Sequence, residues 1–238
     1  MDSQLPDEEV AVVSEEPKRK RKKRYFLAFD PGLTNMAVWA GTVDKEGMPL
    51  TRYLEKFDVV SKIDEDGNKK KTTTPVYEGV ADMILDTPWM INKERIKGVV
   101  VETQQQGNTP ARIAATTIYG VMRGLGIDVQ FSGATMKNKA MEHLSKKLKI
   151  ELKEKPKRLP KETDEKEKKR RRAMMHKINK DNSKAIVQKI MDAMAESKIM
   201  SDAFEKAGKK KDDLSDAILL GIGLALHVTT PKGKTKRH

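Results

Sequence analysis

The stretch YFLAFDPGLTNMAVWAG, residues 25–41, decides how the chain is to be read. It runs apolar from Tyr25 to Phe29 and then stops on an acid, Asp30. A short contiguous apolar run of this kind reads as a strand buried on both faces. Pro31-Gly32 punctuates it, and MAVWAGTV reads as a second strand. A plain hairpin has no use for a carboxylate at that point, where burying a charge is costly.

The same pattern returns further on. IKGVVVET (96–103) is another buried strand ending in an acid, Glu102. Between the two, a third strand is expected near RYLEKFDVV (52–60) and a loop over DEDGNKKKTT (64–73). YEGVADMILDTPWMI (77–91) places Val80, Ile84 and Leu85 at helical spacing and ends near Pro88. Pro110 opens a helix whose apolar face is Ala114, Ile118, Val121, Met122 and Leu125, with Gly124 or Gly126 as its stop. IDVQFSG (127–133) is a strand and TMKNKAMEHLSKKLKI (135–150) a basic amphipathic helix. NSKAIVQKIMDAMAE (182–196) is core-facing through Ile186, Ile190 and Met194, and KKDDLSDAILLGIGLALHV (210–228) is a final apolar helix. Strands first, then alternating helices and strands, predict an α/β or α+β fold with a partly parallel, mixed central sheet flanked by helices. In such sheets active groups gather at the carboxyl ends of strands.

Composition bounds the function. The 238 residues carry a formal net charge of +13, which favours a polyanionic partner through counterion release from phosphates. Charged residues make up 35% and hydrophobic ones 37%, so part of the chain is expected to be solvated arms. We expect a disordered acidic and basic tail over 1–24, one domain over 25–228 with a charged insertion at about 151–182, and a basic tail over 229–238. The insertion is expected either as a solvated helix or as a flexible segment. The block PKRKRKKR (17–24) reads as a nuclear-localisation signal, a DNA-gripping arm or a solubilising tail. The absence of cysteine excludes disulfides and thiolate chemistry, and the four histidines show no metal-ligand spacing. No apolar run approaches the roughly 20 residues needed to span a membrane, and the acidic N-terminus is unlike a signal peptide. The chain is expected to be intracellular. Aromatic residues are only 5%, against an extended stacking platform for single strands, and Trp39 and Trp89 are expected in the core.

The acids carry the chemistry. Asp30 and Glu102 end buried-looking strands, and if those strands are neighbours both carboxylates leave one end of the sheet. KKDDLSDAILL supplies Asp212, Asp213 and Asp216 at the mouth of the last helix, with Asp213 and Asp216 on one face at i and i+3. Each acid has an ordinary structural use as a helix cap, a turn residue or a strand end. Taken together, Asp30, Glu102, Asp213 and Asp216 imply a mutually repelling cluster that a divalent cation would neutralise. Hard oxygen donors without cysteine or histidine suit Mg²⁺, with Mn²⁺ able to substitute. Two such ions about 4 Å apart can activate water against a phosphodiester.

DPGLTN after the first strand, VVVETQQQ on the fourth and DDLSDAILL opening the last helix resemble the RuvC-like Holliday junction resolvases of the RNase H-like superfamily. The pattern is nearest the poxvirus-type branch of large DNA viruses. The resemblance runs from about Tyr25 to Val228, leaving out the insertion. It implies an RNase H-like fold, with Asp30, Glu102, Asp213 and Asp216 as metal-binding acids and Asp212 replacing or assisting one of them. It also implies a lysine near the scissile phosphate, for which Lys137 fits best and Lys139 next, and a further lysine near Lys184. It implies a homodimer, with the helix after Pro110 at the interface, nicking opposed strands of a four-way DNA junction. A nucleus or a viral replication site then becomes the expected compartment. The Gln104–Gln106 run would contact sugar or phosphate, or cap a turn.

Three other functions compete. A DEDD-type recombinase or transposase shares the fold but usually carries a further catalytic domain. DPGLTN also resembles the first phosphate loop of actin-like ATPases and sugar kinases, for which GIGLALH would have to supply a second loop. A non-catalytic DNA-binding protein would use the basic insertion alone.

Overall fold

The computed structural model describes residues 23–63, 69–71, 74–104, 106–154, 165–193, 198–208 and 211–229. All but the innermost residues of the two expected tails, residues 155–164 of the expected insertion and Met194 lie outside them. The strands are β1 (Tyr25–Asp30), β2 (Met36–Val43), β3 (Pro49–Phe57), β4 (Ser61–Ile63), β5 (Lys69–Lys71), β6 (Ile96–Glu102) and β7 (Val129–Ser132). The helices are α1 (Val76–Leu85), α2 (Pro88–Ile91), α3 (Thr109–Gly124), α4 (Ala134–Leu148), α5 (Glu165–Ala193), α6 (Lys198–Lys206) and α7 (Lys211–Thr229).

The main sheet has the order β3-β2-β1-β6-β7. β2 is antiparallel to both β1 and β3, whereas β1, β6 and β7 are mutually parallel neighbours. This is the mixed, helix-flanked α/β sheet of the RNase H-like fold. Strand alternation sorts the core into two layers. Tyr25, Leu27 and Phe29 of β1, with Val99 and Val101 of β6, pack under α1, α2 and α3. Phe26 and Ala28, with Val100, pack under α4, α5, α6 and α7. A strand needed on both faces must be apolar at every position, which is why YFLAF and VVV are continuous runs. Trp39 is fully buried, and Trp89 is half-buried, stacked on Tyr53 at 4.7 Å between ring centroids.

Some elements differ from the sequence reading. β3 begins at Pro49, upstream of the expected stretch. Within the expected loop at 64–73, Lys69–Lys71 pairs antiparallel with Ser61–Ile63, while 64–68 and 72–73 lie outside the described residues. α5 runs unbroken through the expected boundary at Asn182. Ile178, Asn182 and Ser183 are all buried, so the end of the charged segment packs into the core. The Asn182 side chain bridges to Lys153, accepting from its N–H at 2.9 Å and donating to its carbonyl at 3.2 Å. α6 was not expected, and its Met200, Ala203 and Phe204 are buried in the layer shared with α7.

α7 is the keystone of that layer. Leu214, Ala217, Ile218, Leu219, Leu220 and Ile222 are fully buried, so it is apolar almost all round. It lies against β1 and β2, and Trp39 is its seat. A Cβ on Gly221 would overlap Trp39 Cε3, so only glycine admits the indole there. Trp39 Nε1–H in turn donates to Thr51 Oγ1 at 3.0 Å, fixing the ring. A Cβ on Gly223 would stand 2.6 Å from the Met136 carbonyl oxygen, so this glycine admits the first turn of α4. GIG is therefore packing surface inside a buried helix, and the phosphate loop that an ATPase would need is not there.

Helix propensity favours alanine over glycine by about 1 kcal/mol, whereas the overlap with Trp39 works the other way. Gly221→Ala is expected to lose about 1–3 kcal/mol net, read as a lower midpoint in denaturant unfolding followed by Trp fluorescence.

Candidate metal centre

The register that pairs Phe29 with Val101 sets Asp30 and Glu102 level at the carboxyl ends of adjacent parallel strands. Parity sets their face. Asp30 continues the Phe26–Ala28 side of β1 and Glu102 the Val100 side of β6, both of which look toward α7. The first turns of α7 bring Asp216 to the same place, and the first turn of α4 brings Lys137. One carboxylate oxygen from each of Asp30, Glu102 and Asp216 lies within 4.8 Å of the others. Lys137 Nζ lies 2.6 Å from Glu102 Oε1 and donates to Asp216 Oδ2 at 3.1 Å. The pocket is largely shielded, with side-chain exposures of 13% for Lys137, 18% for Glu102 and 22% for Asp216.

Crowding carboxylates in a shielded pocket perturbs their ionisation. Burial, followed by the charge and hydrogen bond of Glu102 and the charge of Asp216, raises the Asp30 pKa well above the ordinary range despite Lys137. Burial likewise raises Asp216, with Glu102 adding to it and Lys137 opposing it. Burial alone would lower the Lys137 pKa, yet Asp216, Glu102 and Asp30 outweigh it and hold the ammonium charged. The groups act as one coupled unit. A divalent cation fits this donor set: three converging hard oxygens whose repulsion already drives one of them toward its neutral form. Asp30, Glu102 and Asp216 are the residues that would hold it.

The other candidates sit around this centre. Asp213 lies half-buried on the first turn of α7 and is not one of the three carboxylates that converge. Asp212 accepts from Lys180 Nζ at 2.5 Å. Burial would raise the Asp212 pKa, but the hydrogen bond from Lys180 and a backbone hydrogen bond lower it. Lys139 and Lys184 lie on α4 and α5, and both are exposed. Gln104 is half-buried just past β6, Gln106 is exposed and Gln105 lies outside the described residues. Sequence reasoning missed Lys180, which lies one turn before Lys184 on the same helix. The i,i+4 relation was the available signal. Leu33 in the loop after Asp30 accepts from Val59 N–H at 2.9 Å through its carbonyl, so the Pro31-Gly32 turn is tied to the β3 side of the sheet.

A carboxyl whose pKa is higher in the fold than in the unfolded chain binds its proton more tightly when folded. Its stabilising contribution is full below the ordinary carboxylate range and is lost as pH rises through the raised value. Asp30→Asn, which cannot ionise, is therefore expected to be more stable than the parent at pH 7 in chelator, with the gap closing toward pH 4. Denaturant midpoints across that range check the sign.

No protein-family model matches the chain, and no curated protein matches it. Solved structures similar to it include Thermus thermophilus RuvC in complex with a Holliday junction substrate, at 14% identity and a TM-score of 0.40 over 86% of this chain and 94% of that one. A second T. thermophilus RuvC structure is 18% identical, with a TM-score of 0.34 over 56% of this chain and 84% of that one. The yeast mitochondrial Holliday junction resolvase Ydc2 is 10% identical, with a TM-score of 0.48 over 87% of this chain and 82% of that one.

Proposed function

We propose that this chain is a divalent-metal-dependent endonuclease that resolves four-way DNA junctions as a homodimer. The observation that carries the reading is the convergence of Asp30, Glu102 and Asp216 around Lys137 at the carboxyl end of the parallel strands. These residues belong to the segments whose pattern resembles the RuvC-like resolvases, nearest the poxvirus-type branch. When bound, Mg²⁺ or Mn²⁺ supplies an activated water and charge stabilisation for the leaving oxygen of a phosphodiester. The three carboxylates hold the cation, and Asp213, on the same turn of α7 as Asp212, is the fourth acid of the set. Lys137, held charged by its acidic neighbours, sets a fixed positive group against the oxygens of the scissile phosphate. Lys180, tied to Asp212, adds a second cation at the rim.

Two-fold symmetric cutting asks for a two-fold dimer. Exposed apolar side chains on α3 and edge strand β7 support one: Tyr119 is 38% exposed and Phe131 44%. Tyr119 and Phe131 stack in the open with ring centroids 5.2 Å apart. Exposed apolar groups gathered on one surface mark an interaction site. Among the described residues no helix is long and apolar enough to cross a membrane. A nucleus or viral replication site suits the basic block at 17–24.

Purified protein with Mg²⁺ or Mn²⁺ is expected to nick a four-way junction at paired, symmetry-related positions. Glu102→Gln is expected to lower the cutting rate by about a thousandfold or more while junction binding in chelator is kept or tightened, since one carboxylate fewer faces the phosphate. Intact junctions at saturating wild-type protein and metal would refute the reading, and strand-joined products would point instead to a recombinase.

Tyr119→Lys combined with Phe131→Lys is expected to shift the chain toward monomer in analytical ultracentrifugation. Nicks on the two opposed strands should then lose their pairing, with each site still able to cut.

A further inference from the structure

α5 does more than close the core, and its outer face is chemically one-sided. Between Lys168 and Lys184 its sequence is KKRRRAMMHKINKDNSK, in which the only acid is Asp181. Asp181 is itself engaged by Lys153, at 2.6 Å. At 100° per residue, Lys169, Arg170, Lys177, Lys180 and Lys184 fall within an arc of about 100°, and Lys168, Arg171 and Arg172 fall outside it. The core-facing residues Ile178, Asn182 and Ile186 lie on the other side, and buried Val187, past Lys184, closes the arc at its edge. Lys169, Arg170, Lys177 and Lys184 are exposed, whereas Lys180 is half-buried where the ridge meets α7. The stripe is thus anchored at the rim of the carboxylate centre by the Lys180–Asp212 pair and continues along the helix from there.

We propose that this ridge is a tract for the phosphate backbone of DNA leaving the site, a reading that rests on the nuclease function proposed above. The distance from Lys180 to Arg170 along the helix is about 15 Å, which matches the axial length of about four phosphates of one strand. The side chains on offer are lysine and arginine without interleaved aromatics, which suits backbone contact and not base stacking. The carboxylate centre repels phosphate wherever its charge is not neutralised. A cationic surface contiguous with its rim offsets that repulsion and fixes the direction in which the arm leaves.

The test compares two doubles that remove equal charge. Arg170→Gln with Lys177→Gln removes two of the four exposed cations of the ridge. Lys45→Gln with Lys97→Gln removes exposed lysines at the opposite end of the sheet, beyond the β1 end that pairs with Gly41 and Ile96. Junction affinity is measured against salt with a long-armed junction, in chelator. The ridge double is expected to bind about tenfold or more weakly near 0.1 M salt. Its log–log salt slope should be shallower by about 0.9 for each phosphate no longer neutralised. Its cutting rate at saturating junction, its unfolding midpoint and its Mn²⁺ affinity should match wild type, and the control double should keep the wild-type slope. An unchanged slope in the ridge double, or an equal change in both doubles, overturns the tract. An unchanged slope accompanied by lost nuclear accumulation would reassign the ridge to an import receptor. Failure of the wild type to bind or cut junctions would instead refute the nuclease reading itself, so the two failures are distinguishable.

Discussion

Carboxylates held within 4.8 Å of one another repel, and the fold is arranged around that repulsion. Nothing local in the sequence holds them together, since Asp30, Glu102 and Asp216 come from the start, the middle and the end of the domain. What holds them is the burial of α7 across the sheet. Its inner residues are fully covered, and Trp39 fills the notch at Gly221. Each fully buried large aliphatic side chain contributes about 1.5–3 kcal/mol relative to exposure, so a handful of them outweighs the cost of crowding the acids. Lys137 lowers that cost further by setting an ammonium between Glu102 and Asp216.

Much of this was legible in the sequence because strand parity is strict. Once β1 and β6 are buried on both faces and parallel, Asp30 and Glu102 must lie level and on the face of Ala28 and Val100. The bounds of β1, β2 and β6 followed from uninterrupted apolar runs flanked by turn residues. Other features were hidden for physical reasons. α6 is short, and its three buried side chains leave a weak periodic signal amid lysines and acids. The boundary at Asn182 misled because buried polar residues there, Asn182 and Ser183, continue the inward face of α5 without adding hydrophobicity. The Lys180–Asp212 pair joins residues of two helices, and sequence spacing carries no information about such a contact. The same limit kept Asp212 and Asp213 from being told apart: adjacent on a helix, they point in different directions, and only packing against α5 shows that Asp212 is engaged by Lys180.

The electrostatic design separates two demands that conflict. On the proposed function a polyanion must be attracted, which a net charge of +13 favours at long range, yet the chemistry needs a pocket rich in negative oxygen. The chain resolves this by depth. The acids sit in a shielded recess whose internal cation is Lys137, while α5 carries its lysines and arginines outward. Screening over about 10 Å at 0.1 M salt lets surface charge steer the ligand without cancelling the field inside the recess.

The wide spacing of the acids along the chain has a thermodynamic consequence. In the unfolded state they are separated by loops of many residues, and the closure entropy of gathering them rises with loop length. An ion that needs all of them therefore binds the native state and not the unfolded one, and metal binding becomes folding free energy by mass action. The raised pKa of Asp30 is the other side of the same balance: burial first, and then the charges of Glu102 and Asp216, make the native pocket favour a proton there. Proton and metal thus compete for one deficit of charge. Metal affinity should weaken as pH falls into the range where Asp30 holds its proton, and in that range the destabilising repulsion is also relieved. A site of this kind trades stability of the metal-free chain for affinity in the loaded one.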